Sequence, residues 1–562
     1  MEYLVLFVVL VLFLMIKSAS ERRRRERELE QKLRDRFGTL SEEEYSEEKY
    51  RSIQYYFRSR QNDLGVIDDI TWHDLDMDRI YQAFNQTSCA MGEEYLYDLL
   101  RRPLYEKQAL KERERLIAFF AERTEERIRL ATALAKIGKF PQISLYEYYQ
   151  RAMDLTSLSV LPDLLQAVFL LLAIPLAFFV PAVGGSAIAL LVAVNVVTYF
   201  QRKKRIEPYL QVVAFLVRLT RQAGELRSLS LPGLEAYQKT ILTGAAAFAN
   251  FRRGAWLINS GSSMSGDLAD IVMDYIRILF HVDLIKFASM VTTIRKHRQE
   301  LDSVYETIGL LDSCMAAASF RAYLPEWCIP ELKNGQEKPA LSAVGLYHPL
   351  LEEPVKNSID TERSVLITGS NASGKSTFLK TVAINAILAQ TLATAACSSY
   401  RGCFFRIYSS MALSDNLFGK ESYYMVEIKS LKRILDAAGQ ANGASCPVFC
   451  CIDEVLRGTN TLERIAASSQ ILSVLAKKPV LAFVATHDLE LTQILEAQYD
   501  NYHFSEEVQE NDVRFDYRLK PGRAQSRNAI RLLSLLGFPE ELTEAAREQA
   551  EHFLSKQEWK RL

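Results

Sequence analysis

The string TGSNASGKST, Thr368 to Thr377, holds the spacing G-x-x-x-x-G-K-S. It follows the apolar run Ser364-Val-Leu-Ile and precedes a helical run from Thr377 to Thr391. That strand, loop and helix setting is what a phosphate cradle needs, because glycines let backbone N–H groups wrap an anion at a helix N-terminus. Gly369, Ser370, Asn371, Ala372, Ser373, Gly374 and Thr377 would build the cradle. Lys375 would reach the β and γ phosphates of ATP, and Ser376 would ligate Mg²⁺.

Downstream, the apolar run Val448 to Ile452 delivers Asp453 and Glu454 at its end. Asp453 suits the Mg²⁺ shell, and Glu454 suits polarisation of an attacking water. Alone the pair reads as a surface acidic pair after a core strand. A third apolar run, Val480 to Ala485, ends in Thr486-His487-Asp488, where a histidine can contact a γ-phosphate. Three such strand ends in this chain order point to an ATP site in which Lys375, Glu454 and His487 do the chemistry.

Elements that place these groups must alternate strand and helix, and after Pro330 the sequence does so, as an α/β nucleotide-binding domain would. Upstream, residues 64 to 155 and 207 to 325 carry helical periodicity, for example Leu96, Leu99, Leu100 and Leu104. Between the two blocks, Leu164 to Gln201 holds no charged residue and is interrupted by Pro181 and the pair Gly184-Gly185, as two spanning helices with a tight turn would be. A buried helical hairpin is the alternative. Arg202, Lys203, Lys204 and Arg205 follow, which sets that end in the cytoplasm. Tyr3 to Ile16 is a further uncharged run, with Lys17 and Arg22 to Arg25 behind it. That order of charge fits an uncleaved anchor better than a signal peptide or a buried helix. From Ser20 to Tyr56 the density of Arg and Glu reads as a solvated helix leaving the membrane.

The expected topology is three spans, an outside N-terminus and a cytoplasmic ATPase domain at the cell membrane. A net charge of -1 gives no global attraction to nucleic acid, so a DNA contact would need a local patch. The eight cysteines show no CxxC pair and no histidine at metal spacing, so buried thiols in a reducing compartment are expected.

The order of these motifs resembles the MutS mismatch-repair ATPases. FFRIYSSMALSDNLFGKESYYMVEI (Phe404 to Ile428) resembles the family's link from P-loop helix to signature helix, and DEVLRGTNT (Asp453 to Thr461) its Walker B and D-loop. ATHDLE (Ala485 to Glu490) is similar to its His switch, and YRLKPGRAQSRNAIRLLSLLGFP (Tyr517 to Pro539) to its C-terminal partner-packing segment. Tyr347-His348-Pro349-Leu350 resembles the motif opening that domain, and TSCAMGEEYLYDLLRRPL (Thr87 to Leu104) the family's helical core. The resemblance implies a composite site in a homodimer, with Ser422 at the start of the signature helix contacting ATP held by the other subunit.

The fold class this implies is multidomain: a membrane anchor (1–20), a charged helical linker (21–60), a helical core (61–160) and a transmembrane hairpin (161–201). A helical lever region (202–330), a P-loop ATPase domain of ABC-like type (331–550) and a tail (551–562) would follow. Departures stand beside the likeness. The family's Gly-Arg-Gly is here Leu456-Arg457-Gly458, and Ser370, Ala372 and Ser373 replace other common P-loop residues. No globular stretch precedes the core-like block to serve as mismatch reader, and Phe120-Ala121-Glu122 and Phe504-Ser505-Glu506 match its Phe-x-Glu only as tripeptides. Two functions remain open: an ATP-driven clamp on mismatched or branched DNA, and an ATP-driven membrane assembly or scaffold protein without a DNA ligand. An ABC transporter half fits less well, since an LSGGQ-type signature is missing.

Overall fold

The computed structural model describes residues 2–60, 65–140, 143–154, 160–254, 258, 268–333, 338–370, 373–411, 423–440, 446–457, 459–509, 512–524, 530, 533, 537–556 and 558–561. The chain has a helical N-terminal part and C-terminal α/β sheets. It divides into two units, one formed by 1–61, 82–98 and 116–322, the other by 62–81, 99–115 and 323–562. Two stretches inside the expected helical core therefore fold with the C-terminal unit.

In the helical unit, the first helix runs unbroken over Glu2–Asp35. The expected solvated helix does not continue to Tyr56. A second helix, Glu47–Ser59, starts where the Ser46 side chain accepts the Lys49 N–H at 3.2 Å, and it buries Ile53, Tyr56 and Phe57. The Tyr56 ring lies 4.8 Å from that of Tyr146 and 4.9 Å from that of Tyr305, an aromatic cluster that the charged flanking sequence masks. Asp312, fully buried, accepts from the Ser88 and Cys89 N–H groups at 2.9 and 3.0 Å and so caps the helix Ala90–Arg101. Burial still raises its pKa.

Among the described residues, Leu161–Phe179 and Pro181–Tyr209 are long and apolar enough to cross a membrane. The chain turns at Val180 and Pro181, and Gly184-Gly185 lies inside the second helix rather than in the turn. Gly184 instead serves packing: a Cβ there would sit 2.3 Å from the Ala177 Cα, so only glycine lets the two backbones come this close. Leu165, Phe169, Leu172, Phe178 and Phe179 are exposed along the hairpin. Its base is polar and tied to the next helices: Asp163 meets Arg202 and His281, while Asp283 accepts from Lys203 at 2.6 Å and Tyr199 at 3.0 Å.

The C-terminal unit carries strands β1 (Glu331–Lys333), β2 (Leu341–Leu346), β3 (Asn357–Thr361), β4 (Ser364–Thr368), β5 (Ser399–Cys403) and β6 (Arg406–Ser410). β7 (Val448–Asp453), β8 (Val480–Ala485), β9 (Tyr499–His503), β10 (Glu506–Gln509), β11 (Asp512–Phe515) and β12 (Lys520–Pro521) follow. The central sheet has the order β12-β9-β4-β8-β7-β6, parallel except at its β12 edge, and a smaller sheet has the order β1-β5-β2-β3. β4 and β8 are buried throughout, as central parallel strands covered on both faces must be. The short helix Asp69–Asp74 belongs here because Asp74 accepts from Ser409 Oγ at 2.6 Å and from the Met411 N–H at 2.9 Å beside β6. Leu104 N–H likewise donates to Gln390 O at 2.9 Å, closing the helix Lys375–Leu392 against the 99–115 stretch.

Candidate functional site

Pairing of Ile367 with Ala485, and of Ala485 with Asp453, brings the C-terminal ends of β4, β8 and β7 side by side. Ligands of parallel α/β sheets bind at such ends. Beyond β4 the loop turns through Gly374, whose φ of 103° favours glycine, into the helix Lys375–Leu392. A Cβ on Gly369 would stand 2.9 Å from the Phe504 carbonyl oxygen, so that position too must stay small.

Lys375 Nζ donates to the carbonyls of Gly369 at 2.9 Å and Ser370 at 2.7 Å. Burial pushes its pKa below the ordinary lysine value, against the pull of Asp453, Glu454 and Glu506. Folded onto loop carbonyls, it is a desolvated cation ready for a stronger anion. Ser376 Oγ donates to Asp453 Oδ2 at 2.5 Å. Burial raises the Asp453 pKa, with the Ser376 bond opposing. This hydroxyl and carboxylate are hard oxygen donors of the kind Mg²⁺ takes, and Mg²⁺ draws its remaining ligands from phosphate and water. No group of three or more His, Cys, Asp or Glu side chains that could hold a metal ion occurs among the described residues.

Glu454 has a φ of 62° and donates its N–H to Ala485 O at 2.9 Å, which aims its side chain off the end of β7. Its Oε1 lies 3.2 Å from His487 Nε2 and its Oε2 3.0 Å from Arg457 Nε. The hydrogen bond from His487, with Arg457 adding to it, holds the carboxyl below the usual carboxylate range although burial opposes. His487 Nε2 is also 3.4 Å from Lys375 Nζ. One ring nitrogen cannot donate to Glu454 and accept from Lys375 together, so a proton on Nε2 leaves the lysine to the loop carbonyls. Beside the histidine, Arg464 clamps Asp488 through Nε at 2.9 Å and a terminal nitrogen at 2.6 Å.

Lys375, Ser376, Asp453, Glu454, Arg457 and His487 line a cavity of about 650 Å³, together with Tyr347, His348, Phe378, Phe504 and Tyr517. Burial pushes His348 down to about 4, which keeps it neutral. The volume falls in the range of small-molecule sites. A bound anion would find one buried cation, an oxygen pair for a divalent ion and an ionised carboxylate held by a histidine. That set can bind a phosphoanhydride and activate water.

The three side chains expected to do the chemistry, Lys375, Glu454 and His487, and the two expected to hold Mg²⁺, Ser376 and Asp453, border this one cavity. Ser373, Gly374 and Thr377 line it as well, Gly369 and Ser370 are described but are not among its lining residues, and Asn371, Ala372 and Ser422 lie outside the described residues. Sequence reasoning gives no role to Glu506, Arg457 or Glu427. Glu506 accepts from Ser370 Oγ. Glu427 accepts from the N–H of Leu456 and, at 3.3 Å, of Arg457, bracing the turn after Glu454. Of the two Phe-x-Glu tripeptides, Phe504 is buried beside the loop and Phe120 is buried in the helical unit, so neither ring is free to stack on a base.

Residues 365–554 match the family description MutS domain V. The DNA mismatch repair protein MutS of Natronomonas pharaonis is 30% identical over 279 residues, which are 47% of this chain and 31% of that protein. The DNA mismatch repair protein MutS of Thermus thermophilus is 31% identical over 205 residues, 36% of this chain and 24% of that protein. The DNA mismatch repair protein MutS 2 of Haloarcula marismortui is 32% identical over 187 residues, 33% of this chain and 19% of that protein. The match thus spans less than a third of the length of these curated relatives.

Proposed function

We propose, from the premise that this chain belongs to the MutS family through its domain V, that it is a membrane-anchored ATPase acting as an ATP-dependent clamp on mismatched or branched DNA. The observation that carries the ATPase reading is the convergence of Lys375, the Ser376–Asp453 pair and the Glu454–His487 pair on one cavity at the sheet's end. Lys375 and the loop N–H groups hold the β and γ phosphates. Ser376 and Asp453 would hold Mg²⁺, which when bound would supply neutralisation of charge on the phosphate oxygens. Glu454 accepts a proton from water as it attacks, and His487 orients that carboxylate and faces the γ-phosphate. Ser422 of a second copy would complete the site, so ATP would favour the closed homodimer and hydrolysis would release it.

Membrane anchoring is supported by the exposed apolar hairpin and by the basic residues that follow it. The same hairpin, with a net charge of -1, favours the second reading, a membrane assembly or scaffold ATPase that needs no DNA. One set of measurements on the full chain in lipid nanodiscs decides between them. ATP turnover should require Lys375 and Mg²⁺; turnover undiminished in Lys375→Ala would overturn the ATPase reading. Affinity for duplex, mismatched and branched DNA should fall steeply with salt and respond to nucleotide. Absence of binding to all three DNAs at low salt would remove the clamp and leave the scaffold.

A further inference from the structure

Between the N-terminal helix and two later helices of the helical unit lies a cavity of about 460 Å³ that the ATPase chemistry does not use. It is lined by Glu21, Arg25, Glu26 and Leu29 of the first helix, Lys136 of Thr124–Ile137, and Arg218, Arg221 and Gln222 of Leu210–Ser228. Lys136 is committed to carboxylates, donating to Glu26 and, at 2.7 Å, to Glu225. That leaves Arg25, Arg218 and Arg221 facing Glu21, an excess of positive charge.

Two observations mark this as more than a solvated basic face. Arg218 is half-buried over the Phe140 ring, 5.3 Å from its centroid, and burial lowers its pKa with no carboxylate to offset the cost. Gln222 is 5% exposed, and its Oε1 is sealed from solvent without a hydrogen-bond partner. Buried polar groups are seldom left unmatched, so this one points to a missing partner at the floor of the cavity.

We propose that this cavity binds a phosphate-bearing anion, held by Arg218 and Arg221 with Gln222 beneath it and Arg25 closing over it. Two sources supply that chemistry: the headgroup of an anionic phospholipid, or a soluble phosphorylated small molecule. Position favours neither alone, although Arg25 follows Ile16 by nine residues on one helix, about 13 Å along its axis.

The test uses the full chain in detergent micelles, titrated separately with phosphatidic acid, phosphatidylcholine and inorganic pyrophosphate, and read by native mass spectrometry. Arg221 is exposed, so Arg221→Glu should leave the fold and ATP turnover intact, while Arg227→Gln changes a basic residue of the same helix that does not line the cavity. The expected result is that phosphatidic acid or pyrophosphate binds, and that Arg221→Glu weakens it about tenfold or more while Arg227→Gln does not. Preference for phosphatidic acid over phosphatidylcholine, undisturbed by pyrophosphate, assigns a lipid headgroup. Displacement of phosphatidic acid by pyrophosphate assigns the soluble source. Equal binding of either probe by wild type and Arg221→Glu, or equal loss in Arg227→Gln, overturns the proposal. ATP turnover is read in parallel, so failure here is separable from failure of the ATPase reading.

Discussion

Replacing Glu454 separates what that residue does for the fold from what it does for chemistry. Its φ of 62° costs a non-glycine residue about 1–2 kcal/mol. Against this stand an ion pair to Arg457 and a hydrogen bond from His487, whose side chains are 62% and 38% exposed. Partly screened pairs of this kind contribute about 0–1 kcal/mol each. Glu454→Gly removes strain and pairs together, so the fold should stay within about 1 kcal/mol of wild type. Glu454→Gln keeps the strained backbone and loses the charge, so it should be the less stable of the two. Turnover should fall in both by about 10²–10⁴, the loss expected of an absent general base, or roughly 3–5 kcal/mol of activation free energy. The assay pairs ATP turnover with urea denaturation monitored by fluorescence. Turnover within about threefold of wild type in Glu454→Gln would refute the base assignment. A loss of more than about 3 kcal/mol of stability in Glu454→Gly would show that the carboxylate holds the fold instead.

Three further outcomes are expected. The His487 hydrogen bond is the largest influence lowering the Glu454 pKa, so His487→Ala should move the acid limb of the ATP turnover profile to higher pH; an unmoved limb would contradict that coupling. Burial raises Glu94 to about 8, so the folded chain retains a proton that the unfolded chain has released above its ordinary carboxylate value of 4.5. Stability should therefore decrease as pH rises from that value towards 8, and Glu94→Gln should flatten the decline in denaturation midpoints measured across that window. Gly184→Val should force the hairpin helices apart, at a cost of about 1–3 kcal/mol, read as a lower thermal midpoint in detergent, while Gly185→Val, with nothing within 4 Å of its Cβ position, should not.

The strand-end half of the candidate site was legible because it depends on local order. The apolar runs Ser364 to Thr368 and Val480 to Ala485 became β4 and β8 at their expected bounds, and the helix after the loop runs from Lys375 to Leu392. Strand ends carry their residues to the site by register alone. Contacts that depend on distant chain were not legible. Glu427 braces a turn 29 residues away, and Glu506 reaches a serine 136 residues away, with no spacing rule to announce either. Leu456 stands out as a departure from the family's glycine, and it adopts a φ of 59°; the strain glycine would avoid is met by burying the leucine in the core around β7 and β8. In the helical unit the charged run before Tyr56 concealed a buried face, because lysine and serine at Lys49 and Ser52 are buried beside the aromatic rings.

The chain passes between its two units five times, after residues 61, 81, 98, 115 and 322. No single cut can therefore free either one whole. A fragment begun at 331 would lack Asp74 and Thr71, and Ser409 and the N–H of Met411 beside β6 would lose their partners. A transplanted C-terminal unit would have to carry both early stretches with it or leave Ser409 and Met411, on and beside the edge strand β6, without these partners. Only a length of chain running unbroken from residue 62 to 562 keeps every part of this unit together.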